Sequence, residues 1–312
     1  MTKMNKFVSR TIVGISGIVG SAMLLKKFKT PPSTREIKPF FKHPTPYLFS
    51  HRGGMYERPE QTFLAFDHSV EMGLNGFETD IRMSKDENVI VFHDADVTRT
   101  TNGSGLVANH TLEELKSLDA GYHFKDINGN TPYRNHPDAK IITLDELLQR
   151  YPKQLVNIDI KDHPDSYEGS IAAKRLYDVI KRNHAEDRVL VTSFYKSQIE
   201  RFNLYQDQSI AIGASQAEVT DAILKLYTGL SHLYDGNADT FQLPTTFKGI
   251  SLVQPILIKW LNKRHIIPGF YGINSVDLMH DLYQMGVHTI VTDRPELGRQ
   301  FLNSIDTHSS FH

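Results

Sequence analysis

The sequence predicts a (β/α)8 (TIM) barrel with a small inserted subdomain and an N-terminal hydrophobic segment. Three observations carry that prediction. Past residue 45, short apolar runs alternate with segments of helical period, and no sequence repeat interrupts them. Eight of the runs, near residues 47, 76, 155, 189, 210, 249, 266 and 287, fit parallel strands joined by helical crossovers, the signature of an eightfold barrel. A ninth run, 89–93, follows the 76–81 run after seven residues, 82–88, that are rich in turn formers. That link is too short for a parallel crossover, so the ninth run is an antiparallel return that brings His93 back beside Glu78.

The elements follow in order. Residues 47–51 form a buried-strand run ending in His51. In 60–72, Phe63, Leu64, Phe66, Val70 and Met72 form a rough apolar helical face. Strands are predicted at 76–81 and 89–93. From about 95 to 140 the chain makes a polar excursion with a short helix near 112–118 and the aromatic group Tyr122, His123 and Phe124. It is too long for a plain loop and reads as an insertion capping the barrel mouth. Thr143 is an N-cap for a helix to 151, with Glu146 at the capping-box position. Strands at 155–160, 189–193, 210–213, 249–253, 266–271 and 287–292 then alternate with helices at 170–183, 218–227, 255–264, 276–285 and 295–303. The barrel domain is assigned to 46–305, and 306–312 reads as a frayed tail.

The 312 residues contain no cysteine, which excludes disulfides, thiolate catalysis and cysteine-held metals. Any metal must be held by carboxylate, imidazole, amide or carbonyl groups. With 35 Lys and Arg against 36 Asp and Glu, no basic field for nucleic acid is present. The N-terminus differs from the rest. Lys3, Lys6 and Arg10 precede an uncharged run over 11–25, and Lys26, Lys27 and Lys29 follow it. A helix of that length reaches about 22 Å against a hydrocarbon core of ~30 Å, a gap that snorkelling lysines can close. Residues 1–29 are therefore expected to be an N-terminal membrane anchor, the run ending in lysines favouring an uncleaved helix, with a removed export signal as the alternative. Balanced flanking charges assign the anchor no orientation. Residues 30–45, opening on Thr30-Pro31-Pro32-Ser33-Thr34, read as a linker.

Chemistry-bearing residues collect at the ends of the predicted strands. His51-Arg52-Gly53-Gly54 closes the first. Glu78-Thr79-Asp80 lies on the second, with both carboxylates on one face because strand side chains alternate. His93-Asp94 ends the antiparallel return, and Asp159-Ile160-Lys161 ends the third barrel strand. Histidine moves protons near neutral pH, paired carboxylates hold a hard cation, and the arginine fork matches phosphate oxygens. The combination points to metal-assisted acid/base chemistry on a phosphate ester.

These motifs resemble those of the glycerophosphodiester phosphodiesterase family. The family's HRG strand end, PENT helix start, ExD strand, HD pair, RTT-x-G-x-G segment, ExK strand and late TVN and TD-x-P motifs have counterparts over roughly 47–303. Here they stand as His51-Arg52-Gly53, Pro59-Glu60-Gln61-Thr62, Glu78-Thr79-Asp80, His93-Asp94, Arg99-Thr100-Thr101-Asn102-Gly103-Ser104-Gly105, Asp159-Ile160-Lys161, Gly272-Ile273-Asn274 and Thr292-Asp293-Arg294-Pro295. The match is looser between 195 and 265. Gln61 replaces Asn, Asp159 replaces Glu, and Tyr271 stands near a frequent Trp. The resemblance implies a barrel with a small insertion, a bound Ca²⁺ or Mg²⁺, and cleavage of glycerophosphodiesters to glycerol 3-phosphate and an alcohol. Some members of the family cleave lysophospholipids instead.

In that context His51 and His93 are the expected acid/base pair, and Glu78, Asp80 and Asp159 the expected metal ligands. Arg52 and Lys161 are expected to hold the phosphate. Glu60 is expected to bind the glycerol hydroxyls or to orient a histidine. The alternative for the carboxylates is a hydrogen-bond network with Arg52 and Lys161, which is compatible with the first reading. Two other functions stay open on sequence: a lysophospholipase D or related lipid phosphodiesterase, and an inactive barrel that binds phosphodiesters or teichoic-acid-like polymers. The second is disfavoured because both histidines and all three carboxylates are present.

Overall fold

A computed structural model describes residues 35–309. The expected anchor, 1–29, and the start of the expected linker, 30–34, lie outside the described residues. No helix among the described residues is long and apolar enough to cross a membrane.

Eight parallel strands form the barrel: β1 (Tyr47–His51), β2 (Gly76–Met83), β4 (Leu155–Ile160), β5 (Val189–Thr192), β6 (Ala211–Ile212), β7 (Thr240–Pro244), β10 (Ile267–Tyr271) and β11 (Thr289–Thr292). They neighbour one another in the order β6-β5-β4-β2-β1-β11-β10-β7. A parallel bridge between Gly213 and Thr240 closes the ring, supported by Ala214 N donating to Thr240 O at 2.9 Å. As the short link at 82–88 requires, β3 (Val89–Val91) pairs antiparallel with β2, with Ile81 opposite Val91 and Met83 opposite Val89. Phe92 N then donates to Asp80 O at 3.0 Å, which delivers His93 to the end of β2. Sequence separation forced this geometry, and the geometry brings together two motifs fifteen residues apart.

Helices cover the outer face of the barrel. Their starts are built from local chemistry: Thr143 and Glu146 form the predicted capping box of Leu144–Arg150, and Ser166 caps Tyr167–Arg182. Two apolar layers lie between helices and strands. One includes Phe66, Phe77, Ile158 and Phe202 and serves the first half of the barrel; the other includes Leu48, Phe241, Phe270 and Phe301 and serves the second. The insertion has a smaller core of its own, where Ile90 and Phe92 pack with Val97, Val107 and Leu115.

Four expectations change. The strand expected at 249–253 is instead the second arm of a small ribbon, β8 (Thr246–Phe247) paired with β9 (Ile250–Ser251), and the barrel strand is the earlier β7. Lys248 (φ 48°) and Gly249 (φ 79°) form its two-residue turn, the double left-handed geometry of a tight hairpin. A helix not expected from the pattern, Lys196–Asn203, joins β5 to β6. The last helix, Pro295–Ser309, runs through much of what reads as a tail. The linker assigned to 30–45 ends early, because Pro39–Phe41 forms a 3-10 turn with Phe40 and Phe41 buried. Phe40 meets Tyr47 and Phe49 edge-on, with ring centroids 6.2 and 6.1 Å away, and shares a cluster with Leu190, Ala211 and Val291. These side chains come from β1, β5, β6 and β11, so the turn plugs the barrel beneath its mouth.

The plug generates a stability prediction. Phe40→Ala is expected to cost about 3–5 kcal/mol, read from the urea midpoint. Ile37→Ala, at a side chain 40 % exposed, is expected to cost less than about 1 kcal/mol.

Candidate active site

The first strand ends in three consecutive residues with positive φ: Arg52 (52°), Gly53 (83°) and Gly54 (106°). A Cβ at Gly53 would lie 2.7 Å from Ala65 Cβ, and one at Gly54 would lie 2.4 Å from Pro295 Cγ. Only glycine fits at these points, and the resulting turn lays the Arg52 side chain across the mouth. Arg52 Nε lies 3.3 Å from Asp80 Oδ2 and Nη1 donates to Glu60 Oε1 at 3.1 Å.

Strand register places the acids. His51 lies opposite Glu78, Glu78 opposite Asn157, and Asp80 opposite Asp159. Lys161 Nζ bridges the last pair, 2.9 Å from Asp80 Oδ1 and 2.7 Å from Asp159 Oδ2. Gln61, itself left-handed at φ 61°, donates from Nε2 to Asp80 Oδ2 at 2.8 Å and accepts from the Thr79 hydroxyl. An asparagine there would suit the backbone better, since Asn tolerates this region more readily. Glu60 is taken up by Arg52 and by Arg99, the latter at 2.7 and 2.9 Å, so its carboxylate holds arginines rather than a histidine.

Each histidine has an aspartate behind it. His51 Nδ1 is 2.6 Å from Asp293 Oδ1, and His93 Nδ1 is 2.6 Å from Asp94 Oδ1. That leaves Nε2 of each ring for the cavity, which both histidines line. Asp293 is fixed in turn by Asn274, whose Nδ2 donates to Asp293 Oδ2 at 2.6 Å and whose Oδ1 accepts from Asp293 N at 2.9 Å. Asp94 is also bound by Arg99.

The environments separate the two rings. Burial pulls the His51 pKa down, but the Glu78 carboxylate and the hydrogen bond to Asp293 outweigh it and hold it above the ordinary histidine value. Burial lowers His93 and prevails over the attraction of Asp80 and Asp94. Burial, then repulsion from Asp80, raises Glu78 well above the carboxylate range. Burial also raises Asp159, against the pull of Lys161. Burial would raise Asp80 too, but Lys161 and Arg52 overcome it and keep Asp80 ionised. Asp94 is driven down to about 2, its burial outweighed by hydrogen bonds from Arg99 and His93.

All eight residues expected from sequence therefore meet at or beside one mouth. The carboxylates are held in the network with Arg52 and Lys161. Three buried carboxylate oxygens of the site, Glu78 Oε2, Asp80 Oδ1 and Asp159 Oδ1, have no hydrogen-bond partner, although Lys161 Nζ ion-pairs with the Asp80 oxygen at 2.9 Å. Buried hard oxygens without partners are suited to a divalent cation, so the residues fit Ca²⁺ or Mg²⁺. Asp80 fits less directly, since Lys161, Arg52 and Gln61 already engage it. The tightest His/carboxylate grouping among the described residues lies elsewhere: Glu57, His68 and Glu296, with ligand atoms within 4.8 Å of one another. There Glu57 already accepts from His68 Nε2 at 2.9 Å and from Glu296 N at the start of the last helix, which makes it a structural tie.

Sequence reasoning left Asp293, Asn274, Asp94, Arg99 and Gln61 without roles, although each lies in a quoted motif. The signal was present for Asp293, which directly follows the end of the eighth barrel strand.

Two Asp–His pairs, three buried carboxylates and two cations at the mouth of a closed barrel bring together groups suited to acid/base chemistry on an anionic substrate. Comparison with known proteins makes the class specific. The sequence model of the glycerophosphoryl diester phosphodiesterase family matches residues 51–297. The glycerophosphodiester phosphodiesterase of Caldanaerobacter subterraneus subsp. tengcongensis is 31 % identical over 258 residues, 80 % of this chain and 94 % of the relative. That of Bacillus altitudinis is 28 % identical over 252 residues, 80 % and 95 % of the two chains. Among solved structures, the glycerophosphoryl diester phosphodiesterase domain of an uncharacterized Mycobacterium tuberculosis protein superposes with a TM-score of 0.70 at 18 % identity, covering 83 % of this chain and 99 % of that one. An Oleispira antarctica phosphodiesterase, in complex with the product sn-glycerol-3-phosphate, gives 0.66 at 23 %, covering 84 % and 97 %. The chain belongs to the glycerophosphoryl diester phosphodiesterase family, and it is an enzyme with that family's phosphodiesterase activity.

Asp293 supports the raised pKa of His51, so Asp293→Ala is expected to lower it while leaving His93 unchanged. Histidine titration by NMR reads both rings in one experiment.

Proposed function

We propose that this chain hydrolyses glycerophosphodiesters to glycerol 3-phosphate and an alcohol by His/His acid/base catalysis with a divalent cation. The observation that carries the reading is the pair of histidines, each with Nδ1 on an aspartate, whose pKa values are pushed in opposite directions. Paired groups separated in this way divide acid and base roles between them. His93, held neutral, takes the proton from the glycerol 2-hydroxyl. His51, held protonated, gives one to the leaving oxygen. The 2-hydroxyl is already tethered beside phosphorus, and such intramolecular attack has an effective molarity of order 10⁵ M or more. The cyclic glycerol phosphate so formed is opened by water with the two roles exchanged.

Charge supports the same reading. Glu78, Asp80 and Asp159 oppose Arg52 and Lys161, three negative groups against two positive. With the His51 imidazolium balanced by the Asp293 carboxylate, a divalent cation turns that deficit into a single positive charge, which a phosphodiester monoanion neutralises. The cation supplies Lewis-acid stabilisation of phosphoryl oxygens when bound. Glu78 and Asp159 would hold it, with Asp80 beside them. Arg52 and Lys161 are then free to donate to phosphate oxygens as charge develops. The Caldanaerobacter relative, by name a glycerophosphodiester phosphodiesterase, supports the substrate class.

Leaving-group chemistry tests the assignment. The rate on glycerophosphocholine should be bell-shaped in pH. It falls on the acid side as His93 gains its proton and on the alkaline side as His51 loses its own. His51→Ala should lose about 10²–10⁴-fold on glycerophosphocholine but far less on a p-nitrophenyl diester, whose leaving group needs no acid. His93→Ala should lose comparably on both. Equal losses for His51→Ala on the two substrates would refute its role as the acid.

A further inference from the structure

The segment Arg99-Thr100-Thr101-Asn102-Gly103-Ser104-Gly105 opens the insertion and takes no part in the proton transfers. Local chemistry makes it a fixed loop. Val97 N donates to Gly105 O at 3.0 Å, and Asp96 pairs with Leu106 in an antiparallel bridge, so the two ends of the loop are joined. Within it the buried Thr101 hydroxyl donates to Val97 O at 2.7 Å and accepts from Gly103 N at 3.0 Å. Asn102 Oδ1 accepts from Asp119 N at 2.8 Å, which ties the loop to a later part of the insertion. Val97 packs in the insertion's own core beside Val107 and Leu115. The backbone that carries Arg99 is therefore held from several sides.

Arg99 reaches from this loop to two carboxylates that belong to different parts of the chain. Its Nη1 and Nη2 donate to Glu60 Oε2 and Oε1 at 2.9 and 2.7 Å, and its Nε donates to Asp94 Oδ2. Each carboxylate is one contact from a group placed in the reaction. Glu60 Oε1 accepts from Arg52 Nη1 at 3.1 Å, and Asp94 Oδ1 faces His93 Nδ1 at 2.6 Å. One guanidinium thus links Arg52 to His93. Its planar fork suits two carboxylates at once, whereas an ammonium is a point charge. Among the described residues, Asp94 forms ion pairs only with His93 and Arg99. The Arg99 side chain is 47 % exposed. It is reached through a cleft of about 400 Å³ that it shares with Tyr56, Phe124 and Arg294.

We propose that Arg99 is a positioning residue, which orients His93 through Asp94 and Arg52 through Glu60, so that the insertion takes part in the reaction by aiming both groups at the phosphodiester. This rests on the phosphodiesterase reading and adds to it a residue that acts only through others. An imidazole turns about its bond to Cβ unless its Nδ1 partner is fixed, and Asp94 is fixed by Arg99. Burial would raise the Asp94 pKa, and the hydrogen bond from Arg99 is the largest effect opposing it, so Asp94 stays an ionised acceptor. Without Arg99, Asp94 is free to turn toward water and His93 loses its bearing on the glycerol 2-hydroxyl. Glu60 is then left to Arg52 alone and competes with the phosphate for that guanidinium. Both losses fall on the transition state more than on substrate binding.

The test measures choline release from glycerophosphocholine by purified Arg99→Ala and Arg99→Lys. In Arg99→Ala kcat should fall on the order of a hundredfold, the effect of a misplacement near 1 Å, with KM little changed. Arg99→Lys should fall comparably, because its ammonium cannot span both carboxylates. Millimolar guanidinium chloride should restore much of the Arg99→Ala rate in a saturable way, and ammonium chloride should not. In an Asp94→Ala background, Arg99→Ala should cost far less than it does alone. Lys125→Ala, in the same cleft, should keep the full rate. The positioning role is overturned by an unchanged kcat in Arg99→Lys, by a loss in Arg99→Ala that guanidinium leaves untouched, or by full additivity with Asp94→Ala. If Arg99→Ala fails to fold, Arg99→Lys decides. No turnover by the wild type overturns the phosphodiesterase reading instead. The His93 Nδ1 proton then tests Arg99 by itself: its NMR signal should be resolved in the wild type and lost to exchange in Arg99→Lys, and its persistence there overturns the proposal.

Discussion

Asp80 and Asp159 face each other in adjacent parallel strands, both buried, with Lys161 between them. Like charges in register repel, and burial magnifies the effect. Removing one partner from such a cluster typically costs about 3–5 kcal/mol. The arrangement persists because Lys161 and Arg52 reach in from two neighbouring strand ends, and Gln61 fixes the carboxylate between them. The same cations are thereby held at the mouth, where the proposed mechanism has them donate to phosphate. The surplus negative charge falls on Glu78, which burial makes hard to ionise in the absence of a cation. Structural neutralisation and catalytic readiness are thus one set of contacts.

Much of this was legible in the sequence because it depends on local rules. Strand alternation put Glu78 and Asp80 on one face. The short link at 82–88 forced β3 to run back and carry His93 to them. What escaped depended on tertiary choices. β7 is only Thr240–Pro244, and the apolar stretch after it looked more like a strand, although a Lys-Gly turn folds it into a ribbon. Phe40 and Phe41 read as linker because their partners come from strands far along the chain. Asp293 and Asn274 were visible as motifs, but their role needed the distance to His51. The apolar side chains that line the cavity beyond the charged groups, from Phe194 to Tyr271, had no sequence signature, since they converge only when the barrel closes.

The two halves of the cavity differ in character. The charged and titratable groups His51, Arg52, Glu78, Asp159 and Lys161 gather at one end, and apolar side chains such as Val219, Ile223 and Phe247 line the other.

The most direct test of the account is calorimetric titration of chelator-stripped protein with Ca²⁺ or Mg²⁺ in buffers of different ionisation enthalpy. Because burial raises the Glu78 pKa, binding must displace a proton near neutrality, and affinity must rise with pH as Glu78 ionises. The account predicts one cation per chain with proton release, lost in Glu78→Gln and retained in Glu57→Gln. Absence of saturable binding, or binding with the same proton count in Glu78→Gln, would contradict it.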